Sequence, residues 1–127
     1  MSIDWNKINH FSPDEFLRPD CLRKEMIEKL DRLRDLTGYS MFITSSFRDP
    51  AHNTAVGGVQ DSAHCLAPDG KYSGVDLASE GWGGAGLFQV IRVAYHIGFN
   101  RIGIYPKHIH LDVEDRLPQQ VMWVGKD

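Results

Sequence analysis

A long stretch without a regular pattern of apolar residues, from Ser45 to Gly86, occupies the middle of this 127-residue chain. Turn signals recur along it, at Gly57-Gly58, Pro68-Asp69-Gly70 and Ser73-Gly74. A stretch of this length is uncommon in a small domain unless it carries function or is held by contacts other than backbone pairing. No repeat, linker or low-complexity tract divides the chain, so residues 1–127 are predicted to form one domain.

Regular elements are predicted on both sides of this stretch. The segments Leu22–Thr37 and Leu87–Ile97 carry apolar residues at helical spacing, and each is followed by a glycine that can end a helix. Ser12 and Glu15 can cap a short helix that starts at Pro13. Four runs are predicted as strands: Met41–Thr44, Arg101–Tyr105, His108–Val113 and Val121–Val124. We therefore expect an α+β fold in which N-terminal helices pack on a small, mainly antiparallel sheet.

The composition argues against several classes of protein. A formal net charge of −3 does not suit a protein that binds nucleic acid or anionic lipid through bulk charge. No apolar run approaches the ~18 residues of a membrane span, and the N-terminus lacks a signal-peptide pattern, so we expect a cytoplasmic protein as synthesised. Two cysteines are too few for a disulfide scaffold and suit a reducing compartment. Cys65 is predicted to be a buried structural thiol.

The segment His108–Val113 alternates polar and apolar side chains. On a strand, this alternation places His108, His110 and Asp112 on one face and the apolar residues in the core. Two imidazoles and a carboxylate at this spacing can surround one metal ion or one reacting group. The alternative is a half-exposed edge strand whose histidines are solvated, and the pattern by itself leaves both interpretations open.

A second cluster combines Ser62-Ala63-His64 with Gly74-Val75-Asp76-Leu77. Asp76 lies between apolar neighbours, where a buried carboxylate without a partner is costly. A zinc ion bound by His64, Asp76 and one histidine of the later pair would be such a partner, and three protein ligands with one open position are typical of catalytic zinc. The alternative is that His64 and Asp76 are loop residues that make local hydrogen bonds.

The segments that carry these patterns follow one another in a distinctive order: Phe11–Phe16, Ser45–Pro50, His52-Asn53, Gly57–Val59, Ser62–His64, Gly74–Leu77, Ile104–Pro106 and His108–Asp112. In this order the sequence resembles the M15 zinc peptidases, the group of D-Ala-D-Ala carboxypeptidases and peptidoglycan endopeptidases. The small phage and bacterial members are the most similar. The resemblance extends over roughly residues 9–124 and implies a hedgehog/D-Ala-D-Ala peptidase-like fold with a zinc site.

The resemblance implies roles for individual residues. The zinc ligands of the family fall on three positions: His64, Asp76 and His110. Arg48, in the family's S-x-x-R motif, would bind a substrate carboxylate or carbonyl and stabilise the developing oxyanion. Ser62 falls on a position that lines the site and would contact substrate. His108 would stabilise the tetrahedral intermediate or transfer protons.

The implied activity is that of a zinc metallopeptidase that cleaves peptide stems of peptidoglycan, as a carboxypeptidase or an endopeptidase. We expect a monomer without nucleic-acid or membrane partners, which acts on the cell wall after release or as part of a phage. The fold is also similar to the hedgehog signalling domain, where a comparable zinc site supports binding. A zinc-stabilised, non-catalytic module of a phage particle is therefore the alternative, and a zinc hydrolase of another small amide is a third, weaker possibility.

Two features depart from the family pattern. The gap of twelve residues from His64 to Asp76 is longer than usual, and the extra residues lie within Leu66–Ser73. We interpret them as a lengthened turn outside the site, although Asp69 within it is a competing metal ligand. Many family members also carry an acidic general base where this chain has Lys107. Either another group replaces that base, with His108, Asp112 and Glu80 as the candidates, or the base is dispensable. The alternative role for Asp112 is to orient a metal-bound imidazole.

Two glycine-rich loops, Gly57–Val59 and Gly81–Gly86, are predicted to shape the substrate pocket. Trp82, in the second loop, is either a surface aromatic residue or part of a mobile lid. Trp123 is predicted to lie in the core.

Overall fold

A computed structural model describes residues 2–58 and 62–126 and contains one five-stranded sheet with the strand order β1-β2-β4-β3-β5. The strands are β1 (Ile43–Ser45), β2 (Gly74–Ala78), β3 (Arg101–Ile104), β4 (His108–Asp112) and β5 (Val121–Val124). Three of the four pairings are antiparallel, whereas β5 pairs with β3 in parallel. The predicted α+β class is confirmed, with a mixed sheet that is mainly antiparallel.

Three α-helices accompany the sheet in the described part of the chain: α1 (Lys24–Thr37), α2 (Pro50–Ala55) and α3 (Gly83–Ile97). The predicted ends of α1 and α3 are confirmed, because Gly38 and Gly98 adopt the left-handed conformation that closes a helix. The predicted short helix is a 3₁₀ turn over Pro13–Glu15, and its capping box is present.

The predicted helix starts were less accurate than the ends. The first helix begins two residues after Leu22, because Leu22 and Arg23 are extended and pair with the backbone of Tyr72. The third helix begins four residues before Leu87, so it includes glycines that were expected to form a loop. Gly86 is required there, because a Cβ atom at this position would lie 2.8 Å from the Cβ of Trp82.

The prediction that residues 45–86 are irregular was wrong at the strand β2 and at the helix α2. The carboxylate of Asp49 caps this helix by accepting a hydrogen bond from the backbone N–H of His52 at 2.7 Å, and Pro50 occupies its first position. The Asp-Pro pair was the available signal. Six residues are too few for an apolar periodicity to emerge.

The core lies between the helices and one face of the sheet. Val75 and Leu77 of β2 stand opposite Leu111 and Ile109 of β4, and all four are buried. Further core residues from the helices and β3 join them: Met26, Ile27, Leu30, Leu33, Val90, Ala94 and Ile102. Side chains alternate along a strand, so the residues between these apolar ones project from the opposite face of the sheet.

Two predictions of burial were wrong. The run Met41–Thr44, which its apolar residues predict to be a buried strand, is displaced to β1 at the sheet edge. Met41 is buried, but Phe42, just before β1, is 70% exposed. Cys65 is only half-buried, because residues 62–65 form a turn, with a hydrogen bond from Cys65 N–H to the Ser62 carbonyl at 3.0 Å. Strand alternation therefore does not apply to it.

Trp82 packs against the core rather than over the site, and its indole N–H donates to the Ser40 carbonyl at 2.8 Å. None of the helices in the described ranges has the length and apolar character needed to cross a membrane.

Candidate metal centre

Three buried side chains, those of His64, Asp76 and His110, converge on the sheet face opposite α1 and α3. His64 Nε2 lies 3.1 Å from Asp76 Oδ1 and 3.1 Å from His110 Nδ1. The third side of this triangle, from His110 Nδ1 to Asp76 Oδ1, measures 3.0 Å. These are the three residues to which the sequence resemblance assigned the metal.

The sheet register brings two of these residues together. Asp76 on β2 is the direct antiparallel partner of His110 on β4, so their side chains lie side by side on one face. His64 arrives from the turn before β2, whose position is held by two hydrogen bonds from Ser73 and Gly74 N–H to the Ala63 carbonyl. Gly74 leaves room for this arrangement, because a Cβ atom there would lie 3.0 Å from His110 Cε1.

The remaining ring nitrogen of each histidine has its own acceptor. His64 Nδ1 lies 2.7 Å from the carbonyl oxygen of Ser46, and His110 Nε2 lies 2.6 Å from Asp112 Oδ2. Each of these nitrogens therefore carries the proton of a neutral imidazole, and the nitrogen that faces the centre has a free lone pair. Such partners typically orient metal-bound histidines.

The donor set fits a metal ion. With both histidines neutral, the centre contains three acceptor atoms and no proton to share among them, so a cation or an added proton must hold them together. Two imidazole nitrogens and one carboxylate oxygen are a common zinc ligand set with one position open. Tetrahedral ligands at zinc distances lie about 3.4 Å apart, close to the separations in this triangle.

The pKa values of the three groups show the same requirement for positive charge. Burial lowers the pKa of His64. Burial also opposes the charged form of His110, but hydrogen bonds to Asp112 and Asp76 outweigh it and raise the pKa of His110 to about 9. Burial by itself would raise the pKa of Asp76. Its hydrogen bonds with His110 and His64 outweigh burial and hold the pKa of Asp76 well below the usual value. In the metal-free protein, a proton on His110 thus occupies the place of a cation.

Asp112 is an outer partner of this centre rather than a free base. The fully buried carboxylate accepts hydrogen bonds from His110 Nε2 and from the backbone N–H of Glu114. Arg101 Nε lies 2.9 and 3.1 Å from its two oxygens. Of the two roles considered for Asp112, orienting a ligand imidazole is therefore the one that the geometry favours.

Asp112→Asn is expected to weaken zinc binding by about 10–100-fold, because a neutral amide holds the imidazole of His110 less firmly. The measurement is competition for zinc with a chromogenic chelator. Asp115→Asn, at an exposed position three residues along the chain, is the matched control and should bind zinc like the parent protein. Equal affinities of the two variants would contradict the outer role of Asp112.

The three candidate ligands lie in a cleft of about 620 Å³, which Arg48, Ser62 and His108 also line. Arg48 Nη2 lies 3.4 Å from Asp76 Oδ2, and Arg48 Nε donates to Ser45 Oγ at 3.2 Å. His108 Nε2 lies 3.7 Å from the same oxygen of Asp76. The buried hydroxyl of Ser62 accepts a hydrogen bond from the backbone N–H of His64 at 3.2 Å. All the residues predicted for the site therefore meet in one cleft.

The other predicted carboxylates lie elsewhere. Asp69 forms a bidentate pair with Arg23 at 2.7 and 3.1 Å in the lengthened turn, so it does not compete for the metal. Glu80 is exposed, and the carboxylates that line the cleft within the described ranges are Asp76 and Asp112. Lys107 is exposed in the turn between β3 and β4. Of the three candidates to replace the base, His108 and Asp112 therefore line the cleft, and Asp112 contacts the imidazole of His110.

Two aromatic residues of the cleft were missed or misplaced. Tyr105 stacks on His108 with ring centroids 4.3 Å apart, and Trp123 Nε1–H donates to the Tyr105 hydroxyl at 3.0 Å. Trp123 is half-buried in the cleft and not in the core, because β5 is an edge strand whose inward side meets the site rather than the helices. The sequence signal for this position of Trp123 was the glycine within β3, since a glycine in a strand often marks the close approach of another group. A Cβ atom at Gly103 would lie 2.6 Å from the indole ring of Trp123.

The loop Gly81–Gly86 does not contribute to this cleft, since it forms the start of α3. Gly57 and Gly58 line the cleft as predicted, whereas Val59 lies outside the described residues.

A family model described as Peptidase M15 matches residues 7–112. The chain belongs to the peptidase M15 family. The match contains all three candidate ligands together with Arg48, Ser62 and His108, and it ends before β5. No curated protein matches the sequence. The M15 peptidases are generally zinc-dependent, in agreement with the His-Asp-His triangle of this member.

Proposed function

We propose that this M15 peptidase is a zinc metallopeptidase that hydrolyses peptide bonds in the stem peptides of peptidoglycan. The observation that carries the proposal is the triangle of His64 Nε2, Asp76 Oδ1 and His110 Nδ1, with edges of 3.0–3.1 Å, in the same cleft as Arg48 and His108. A zinc ion bound there would supply Lewis-acid polarisation of a carbonyl and a water whose pKa is lowered to about 7.

The protein's own contribution begins with orientation of the ligands. The Ser46 carbonyl and the Asp112 carboxylate each hold one imidazole in the tautomer that leaves a lone pair toward the centre. Arg101 pairs with Asp112, so the buried carboxylate has a charged partner. The ligands are therefore in place before substrate enters, which lowers the cost of reorganisation during the reaction.

Arg48 is the residue best placed to bind the reacting carbonyl. Its guanidinium is largely buried and lines the cleft. Hydrogen bonds to Ser45 and Asn53 hold it in one orientation. A preorganised cation at this place stabilises negative charge as it develops on the carbonyl oxygen.

His108 supplies a second group on the same side of the cleft. The stacked ring of Tyr105 limits its rotation, and its Nε2 faces the cleft beside Asp76 Oδ2. From there the imidazole can donate a hydrogen bond to the oxyanion or carry a proton to the leaving amine.

The test is hydrolysis of purified peptidoglycan by protein loaded with one equivalent of zinc. We expect new amino termini to appear, and mass spectrometry of defined stem peptides to identify the bond. Arg48→Gln should lower kcat/KM by about 10²–10³-fold, the usual cost of removing one oxyanion donor. The matched control is Arg32→Gln, on the exposed side of α1, which should retain full activity. Zinc uptake without any release of amino termini would contradict the proposal.

A second candidate function is favoured by Lys107. The usual acidic base position holds an exposed lysine, and both carboxylates of the cleft are committed to His64, His110 or Arg101. A zinc-stabilised binding module, for instance in a phage particle, would need no base. It predicts zinc binding and peptidoglycan binding that are both unchanged in Arg48→Gln, with no turnover.

As a peptidase of the cell wall, the protein would act as a monomer on peptide stems, either as a carboxypeptidase or as an endopeptidase. We propose that it is synthesised in the cytoplasm and reaches the wall after release or as part of a phage.

A further inference from the structure

We propose that a second cleft, next to the metal cleft, binds an acidic group of the peptide substrate through Arg116. This inference rests on the proposed function, because it treats both clefts as parts of one path for a peptide chain. The ligand would be a carboxylate on a residue of the peptide near the bond that is cleaved.

The second cleft has a volume of about 720 Å³ and shares Gly58 and Ser62 with the metal cleft. One of its walls is the segment Leu66–Pro68, and α2 contributes Pro50 and Thr54 to another. The two clefts therefore meet at Ser62, two residues from His64. A peptide that places one bond at the metal would therefore continue into the second cleft at Ser62.

The wall at Leu66–Pro68 is part of the lengthened turn between His64 and Asp76, and it is held firmly. Within the turn, Ala67 N–H donates to the Lys71 carbonyl at 2.7 Å, and Gly70 N–H donates to the Ala67 carbonyl at 2.9 Å. The bidentate pair of Asp69 with Arg23 ties the tip of the turn to the N-terminal end of α1. A wall anchored in this way can discriminate between ligands, because it does not move aside at low cost.

Arg116 supplies the charge of this cleft. Its Nε donates to Glu114 Oε1 at 3.1 Å, and the carboxylate of Glu114 is almost fully buried and also receives the Ser73 hydroxyl. No hydrogen bond or ion pair engages the two terminal nitrogens of Arg116 among residues 2–58 and 62–126. Two parallel N–H donors on an anchored guanidinium match the geometry of a carboxylate.

The position of Arg116 relates this charge to the metal cleft. The next two residues, Leu117 and Pro118, line the metal cleft, so the chain passes from one cleft to the other at this point. Leu66, which is 41% exposed, provides an apolar surface in the same cleft. A residue with an apolar stem and a carboxylate end fits such a combination. Arg116 lies beyond the segment 7–112 that matches the family model.

The test uses two N-acetylated stem tetrapeptides, alanyl-γ-glutamyl-lysyl-alanine, that differ only in a free or amidated α-carboxyl on the glutamyl residue. Binding to the zinc-loaded protein is measured by calorimetry. We expect the free carboxylate to bind about tenfold more tightly, as one charge-assisted pair warrants. If the protein cleaves the two peptides, the comparison is made between their kcat/KM values instead of their Kd values.

Variants assign this preference to the second cleft. Arg116→Gln should remove it, Arg116→Lys should restore part of it, and Leu66→Asp should reverse it by placing a negative charge in the same cleft. Arg92→Gln, at an exposed position on α3, should leave it intact. Equal affinities of the parent protein for both peptides, or a preference that survives Arg116→Gln, would overturn the inference. Selective binding without turnover would leave it standing and would overturn only the proposed function.

Discussion

Replacing His110 with alanine is expected to abolish stoichiometric zinc binding and to lower peptide hydrolysis by ~10³-fold or more. The substitution removes the ligand atom Nδ1, which lies 3.0 Å from Asp76 Oδ1 and 3.1 Å from His64 Nε2. Two remaining protein ligands hold zinc far more weakly than three, so metal content and activity should fall together. Metal analysis after gel filtration and the rate of amino-terminus release are the two measurements.

His96→Ala is the control for that experiment, because His96 is exposed near the end of α3 and outside both clefts. It should keep one equivalent of zinc and full activity. Circular dichroism of both variants separates loss of the metal from loss of the fold. If His110→Ala retained one zinc with the affinity of the parent protein, the metal centre would lie elsewhere.

The second large effect is a dependence of stability on pH that zinc should remove. In the metal-free protein the pKa of His110 is raised from 6.5 to about 9. A raised pKa stabilises the folded state fully below pH 6.5, and this stabilisation is lost as the pH rises through 9. The expected loss between these two pH values is about 3 kcal/mol of unfolding free energy. His64 has a lowered pKa, so it adds a small slope of the opposite sign close to pH 6.5 and none well above it, where it is neutral in both states.

Urea unfolding with EDTA at pH 6.5, 7.5 and 9 measures this loss in the metal-free protein. The same series with excess zinc measures the pH dependence of the zinc-loaded protein. Zinc competes with the proton on His110, so zinc affinity should increase over the same range and offset the fall. The metal-free variant His110→Gln lacks the titrating group and should show no comparable slope. A metal-free parent protein whose stability is constant from pH 6.5 to 9 would refute the charged state assigned to His110.

Local patterns predicted a large part of this structure because each depends on a few neighbouring residues. The apolar periodicity of α1 and the glycines after α1 and α3 set the helices and their ends. The alternation at His108–Asp112 placed two imidazoles and a carboxylate on one face of β4, with Ile109 and Leu111 in the core. The predictions failed where distant contacts override local preference, as at Leu22, which pairs with Tyr72 instead of starting the helix.

The candidate site shows the same division. Spacing alone left open whether His64 and Asp76 bind a metal or only form local hydrogen bonds, because it does not reveal which atoms face each other. The antiparallel register of Asp76 with His110 and the turn that delivers His64 bring the three side chains into one cluster that could hold a metal. Trp123 was predicted to lie in the core, whereas its side chain lines the metal cleft.

The sequence by itself determined the family, the α+β composition and the residue types of the site, since these follow from short motifs in order and from side-chain periodicity. Only the tertiary structure decided what the long middle stretch does. Its turns bring His64 next to Asp76 on β2 and His110 on β4. Its extra residues form one wall of the second cleft, and α2 contributes to another wall of that cleft. These are long-range arrangements, which depend on strand register and loop closure rather than on local preference.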